Sequence, residues 1–128
     1  METQNPETLY NRLGGARGIE ALVDDIIERH MTNPAVKSRF LPIKDDSVHF
    51  SEVRKNLIEF LASGTGGPER YTGKDMPAAH RGMNISEGEY MHVIDDIMAA
   101  MDKHHMDEQT KKDVLFIAYS LKETMVNL

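Results

Sequence analysis

Gly66-Gly67-Pro68-Glu69-Arg70-Tyr71-Thr72-Gly73-Lys74-Asp75-Met76-Pro77-Ala78-Ala79-His80 is the stretch on which the reading of this chain turns. Gly64, Gly66 and Gly67 followed by Pro68 are loop chemistry, unsuited to the interior of a helix or strand. The stretch closes on a very short helix, Asp75 to His80. Asp75 is its cap, and Pro77 sits where a missing N–H costs little. One histidine therefore stands on a single helical turn, with Met76 a turn before it and Ala78 and Ala79 between. A neutral imidazole presented in this way is a candidate metal or cofactor ligand. The competing reading is a hydrogen-bonded structural histidine, and the surrounding elements have to decide between them.

The chain of 128 residues is expected to form one domain, residues 1–128, with a single core. A hydrophobic content of 40% and a charged content of 28% fit a soluble globular protein. No run approaches the length of a membrane span, and the polar amino terminus lacks a secretory apolar run, so the expected compartment is the cytoplasm. Zero cysteines exclude disulfides, thiolate catalysis and cysteine-based metal sites. A net charge of −6 argues against a nucleic-acid partner, which needs a basic face.

The periodicity predicts an all-α chain. Asn5-Pro6 opens a short helix that stops at Gly14-Gly15. Ile19, Leu22, Val23, Ile26, Ile27 and His30 recur at three- and four-residue steps along a helix over about 16–31. Ala35 to Phe40 adds a turn before Leu41-Pro42, and a polar loop, Lys44 to Ser47, ends on a cap residue. Phe50, Val53, Leu57, Phe60 and Leu61 stripe a helix over about 48–63. Ser86 and Glu89 form a capping box for a third over about 87–103, bearing Tyr90, Val93, Ile94, Ile97, Met98 and Met101. Asp107 caps a fourth over about 108–126, with Val114, Ala118, Leu121 and Met125 on one side. The Gly64–Ser86 connection is long for a compact helical protein, and such segments are usually functional or disordered. A cofactor packed against it would supply the apolar contacts it lacks.

Together these residues resemble the truncated haemoglobins, specifically the short-chain group with a two-over-two helical sandwich around a haem. The resemblance covers nearly the whole chain. It runs through Leu9-Tyr10-Asn11-Arg12-Leu13-Gly14-Gly15, Phe40, Gly66 to Gly73, Met76 to His80, and Gly82-Met83-Asn84-Ile85-Ser86. It implies that His80 is the proximal ligand of haem b, iron protoporphyrin IX. It also implies that Phe40 packs on the porphyrin face, that Tyr71 and Met76 line the haem edge, and that the two double-glycine sites end helices and let them cross closely. Phe60, Ile85 and Tyr90 are further candidate haem-lining residues. Haem requires apolar walls and cationic or hydroxyl groups for two propionates. Arg70, Lys74 and Arg81 flank the ligand turn and are either those cations or a solvated rim.

The chain departs from the family pattern on the distal side. Many members carry a tyrosine there that bonds to the bound gas, with a polar residue assisting from the distal helix. The matching positions are Ile27, Val53 and Leu57, all aliphatic. An offset of one helical position would bring in Asn56, which in any case occupies a position that contacts a propionate in some members. His49 lies one turn before Val53 and reaches iron only if the distal helix is shifted. His30 reads as a hydrogen-bonded core histidine, His92 as surface, and His104-His105 as an exposed loop pair. Asp24-Asp25, Asp45-Asp46 and Asp95-Asp96 are adjacent pairs whose side chains diverge, so none is an acid–base dyad.

The resemblance implies reversible binding of O2, CO and NO at iron held by His80. An enzymatic alternative is NO dioxygenation or a peroxidase-like reaction. The chain has no Gly-rich dinucleotide motif, so that alternative requires a separate reductase. A third reading is a haem-free bundle that binds a partner.

Overall fold

A computed structural model describes residues 8–128, and the Asn5-Pro6 start lies outside them. Seven α-helices follow in order: α1 Leu9–Arg12, α2 Gly15–Thr32, α3 Lys37–Lys44, α4 Ser47–Gly64, α5 Met76–His80, α6 Glu87–Lys103 and α7 Glu108–Ser120. A 3-10 turn, Lys122–Thr124, completes them. Helix α2 packs against α3, α4 and α6, and α6 packs against α7. The result is two helices over two, and no strand occurs among the described residues.

The apolar stripe of α2 makes the core. Ile19 and Leu22 are fully buried, Val23, Ile26 and Ile27 nearly so, and they join Leu13, Ala62, Ala100, Met101 and Val114. Burying one such side chain contributes about 1.5–3 kcal/mol against exposure. A second cluster, Ile85, Tyr90, Ile94 and Val126, sits between α6 and the carboxyl-terminal turn.

Caps set the boundaries. Thr8, Asp75, Ser86 and Asp107 each accept a backbone N–H three residues on, which satisfies a donor the helix cannot. Three expectations are corrected. Helix α3 runs on through Leu41-Pro42 and ends only at Lys44, carrying Pro42 in its second turn at the loss of one amide donor. Asp46 rather than Ser47 caps α4, accepting from the His49 amide at 3.0 Å. Helix α7 ends at Ser120, six residues early. Beyond it the chain turns back, Val126 pairs with Ile85, and the Leu128 carbonyl accepts from Gly82 and Asn84. Those bonds hold the segment after His80, which a longer α7 could not have done.

The first double glycine acts as expected in part. Gly14 adopts φ +98° at the start of α2, where a side chain is strained. The close approach is shared with Gly18: a Cβ on Gly14 would lie 2.9 Å from the Gly18 Cα, and one on Gly18 would fall on the Leu13 carbonyl oxygen. Gly18→Ala should therefore destabilise the fold by roughly 1–3 kcal/mol in urea denaturation. Gly64→Ala, where a Cβ meets nothing within 4 Å, should be neutral or stabilising by up to about 1 kcal/mol.

Candidate functional site

The Asp75 carboxylate accepts the Ala78 amide at 2.8 Å and starts α5 with Pro77 in its first turn. That single turn places the His80 ring below the Met76 carbonyl, 2.8 Å from Nδ1. A carbonyl can only accept, so Nδ1 carries the proton and donates. Nε2 is left with its lone pair in the imidazole plane, the tautomer a metal requires. His80 is half-buried, and α5 has no extensive contact with any other helix. The turn that carries His80 thus stands apart from the main helix contacts.

The side chains expected around His80 from α2, α3 and α4 are apolar. Phe40 on α3 and Val53 and Phe60 on α4 are half-buried, while Ile27 on α2 is 3% exposed. Three large apolar side chains are left open: Leu41 beside Phe40 is 40% exposed, Leu57 on α4 36%, and Met83 after α5 37%. Together with Met76, half-buried on the ligand turn, these residues fit a flat apolar group ligated by Nε2, as haem demands. Asn56 is half-buried on α4, whereas Arg70, Lys74 and Arg81 are exposed near the ligand turn. His49 is exposed at the start of α4. Ile85 and Tyr90 lie in the second core cluster, where the Tyr90 hydroxyl donates to the Ala118 carbonyl at 2.6 Å. Burial raises the pKa of that phenol, so it stays a donor.

A latch closes the Gly-rich loop onto α4. Glu59 Oε1 accepts from the Thr72 amide at 3.0 Å and from the Thr72 hydroxyl at 2.7 Å. Lys55 Nζ reaches Glu59 Oε2 at 2.8 Å and donates to the Thr72 hydroxyl oxygen at 3.1 Å. Beside it Phe60 and Tyr71 meet edge-to-face, with centroids 5.2 Å apart, and the Tyr71 hydroxyl donates to the Lys74 carbonyl. The sequence reading found Phe60 and Tyr71 but missed the latch. The Lys55–Glu59 spacing of four on α4 was its one visible trace.

It missed a second group as well. His30 Nδ1 lies 2.6 Å from Asp96 Oδ2 across the α2–α6 contact, and the Asn33 amide donates to both Asp96 oxygens at 3.1 and 3.2 Å. The expectation of a hydrogen-bonded core histidine holds. Asp95-Asp96, set aside as a diverging pair, supplies its partner. His92 is exposed, as expected, and His105 too. His104 is half-buried and stands 3.9 Å from Asp25, a correction to its reading as an exposed loop residue. The end of α6 brings it back against α2, and it closes a cleft of about 410 Å³ with Arg12, Gly14 and Gly18. No three histidine, aspartate or glutamate side chains among the described residues could hold a metal ion together. No helix among them is long and apolar enough to cross a membrane.

Residues 8–127 match the family model of the bacterial-like globins. The chain belongs to that family. Its relatives include a group 1 truncated haemoglobin of Tetrahymena pyriformis, 27% identical over 121 residues that span 86% of this chain and 96% of the relative. Another is a group 1 truncated haemoglobin of Nostoc sp., 25% identical over 94% of this chain and 98% of the relative. The fold of this globin is that of the truncated haemoglobins. The crystal structure of the Tetrahymena pyriformis protein in its Fe(III) form superposes with a TM-score of 0.86 at 23% identity, covering 95% of this chain and 100% of the other. The group II truncated haemoglobin of Bacillus anthracis gives 0.80 at 24% identity, covering 97% and 94%.

The latch makes its own prediction. Lys55 and the two bonds from Thr72 hold the Glu59 carboxyl well below its ordinary value, at about 2. Its folded pKa is depressed, so its contribution is complete above about 4.5 and lost only as pH falls toward about 2. Hydrogen exchange at the Thr72 amide, corrected for intrinsic rates, should be equally slow at neutral pH and in weak acid. Glu59→Ala should accelerate it severalfold at neutral pH.

Proposed function

We propose that this globin binds iron protoporphyrin IX through His80 Nε2 and reversibly takes up diatomic gases, O2, CO and NO, at the opposite side of the iron. The observation that carries this reading is the Nδ1 contact to Met76, which fixes the ligating tautomer on a turn set apart from the bundle. Bound there, ferrous haem would supply the site for a gas molecule. Phe40, Val53, Leu57, Phe60, Tyr71 and Met76 provide its apolar surroundings. Asn56 and the cations Arg70, Lys74 and Arg81 would meet the propionates, with Ile85 ahead of α6 and Tyr90 on it backing the wall.

Ile27, Val53 and Leu57 decide which gas is favoured. None can donate a hydrogen bond. O2 becomes partly anionic when it binds and gains from a donor, whereas CO gains little. The absent hydrogen bond is worth roughly 1.5–3 kcal/mol, about ten- to a hundredfold in release rate. Of the enzymatic alternatives, NO dioxygenation needs a separate reductase, and a peroxidase-like reaction needs a distal acid–base that three aliphatic side chains deny it.

His80→Ala should lose tight haem binding, with partial recovery in added imidazole, as read by the haem absorbance after gel filtration. Full retention with an unaltered ferrous spectrum refutes the ligand assignment.

Ile27→Tyr places a hydroxyl on the distal side and should slow O2 release by roughly one to two orders of magnitude. CO release should change far less. Stopped-flow displacement measures both, and a wild type that already releases O2 slowly contradicts the apolar distal side. The larger side chain enters the core, so about 1–3 kcal/mol of stability should be lost with it.

A further inference from the structure

Behind Phe40 the structure keeps a charge. The His30 ring stacks against the Phe40 ring with centroids 4.9 Å apart and planes tilted by 39°. The far side of the imidazole is tied to Asp96 at 2.6 Å, and its side chain is only 5% exposed. Asn33 donates to both oxygens of Asp96, so the carboxylate is held from two sides. With His30 neutral the pair carries one negative charge, and with His30 protonated it carries none. Buried ionisable pairs need a reason, because apolar side chains of similar volume usually do as well for stability.

We propose that His30 and Asp96 couple reduction of the haem iron to uptake of one proton, with His30 as a positioning residue acting through Phe40. This rests on the haem reading above, which puts the Phe40 ring against the porphyrin. A one-electron reductant, such as a reduced flavin protein or dithionite, passes one electron to ferric iron. One proton from solvent enters His30 at Nε2, since Nδ1 already donates to Asp96. A negative charge one ring away favours the ferric state, and its cancellation favours the ferrous state.

Other charges around His30 are already committed. Arg29 of α2 is held by Asp25, Arg39 of α3 by Glu89 of α6, and Arg54 and Lys55 of α4 by Asp24 and Glu59. Lys37 and Lys44 of α3 and His92 and Asp95 of α6 are exposed and screened by water. Among the described residues, Asp96 is the charged group that His30 pairs with. Burial moves the imidazole pKa down and Asp96 moves it up, with burial the stronger, so His30 is poised to be neutral beside oxidised iron.

The test is spectroelectrochemistry of the haem-loaded protein between about pH 5 and pH 8, the range in which histidine titrates. In the wild type the ferric–ferrous equilibrium should shift toward ferrous by on the order of tenfold as pH falls, the effect of one charge at moderate effective dielectric. His30→Gln should remove most of that dependence while keeping the ferric preference. Asp96→Asn should favour ferrous iron throughout and be nearly flat. A His30→Gln profile that matches the wild type overturns the proposal. Because either variant can lose stability, the His30 ring of the wild type is also titrated by NMR in the ferric and the CO-bound ferrous protein. Linkage requires roughly tenfold higher proton affinity in the ferrous form, and equal affinities overturn the proposal. A chain that takes up no haem overturns the haem reading itself and this inference with it.

Discussion

Helix α2 must satisfy three neighbours at once, and the rest of the structure follows from that. Its buried stripe meets α4, α6 and α3, so Leu22, Val23, Ile26 and Ile27 serve one shared core. A side chain on that stripe cannot be tuned for one neighbour alone. Ile27 is both a core residue and the α2 residue expected on the distal side, so the polarity of the site and the packing of the fold are chosen together. An aliphatic group there favours packing and removes a hydrogen-bond donor in one step.

The opposite wall is built on the contrary principle. Helix α5 contributes almost nothing to the core and is fixed by local bonds, the Asp75 cap and the His80–Met76 contact, while the segment after it is tied by Gly82 and Asn84 to the Leu128 carbonyl. The Gly-rich loop before it is pinned at Thr72 by Glu59. Segments with few buried contacts and exposed hydrogen bonds are the ones that open first. The site therefore pairs a rigid side, α2 and α4, with a side that can be ordered by whatever fills the gap.

Most of the fold was legible in the sequence because most of it is local. The stripes on α2, α4 and α6 follow from spacing alone, and Ser86, Asp75 and Asp107 mark their helices by side chains that bond three residues ahead. His80 was legible because no tertiary contact is needed to place it on its turn. What escaped depends on distant partners. Nothing near residue 121 announces that the chain must leave α7 to pair with Ile85. Gly18 looks like an ordinary helical glycine until the Leu13 carbonyl arrives beside it. Pro42 reads as a stop, yet α3 accommodates it and ends two residues later. His30 and Asp96 are 66 positions apart, and neither hints at the other. Spacing yields the periodicity of a helix face but not the identity of what it meets.

Asp25 and His30 on α2 and Glu59 on α4 lean the same way with acidity. Burial alone would raise the Asp25 carboxyl, but Arg29 and Lys103 overcome it and the net shift from 3.8 is downward. A depressed carboxyl contributes stability above its ordinary value and loses it as pH falls through the folded one. His30 is shifted down from 6.5 by burial, despite Asp96. The unfolded chain then binds a proton that the folded chain resists, so stability again falls with pH, starting near 6.5. Glu59 follows the rule for Asp25 at the loop. These losses are ordered: His30 titrates first, the carboxyls only in stronger acid. Weak acid therefore acts on the α2–α6 contact behind Phe40 before it touches the Thr72 latch. The side of the site that packing makes rigid is the side that protons reach first.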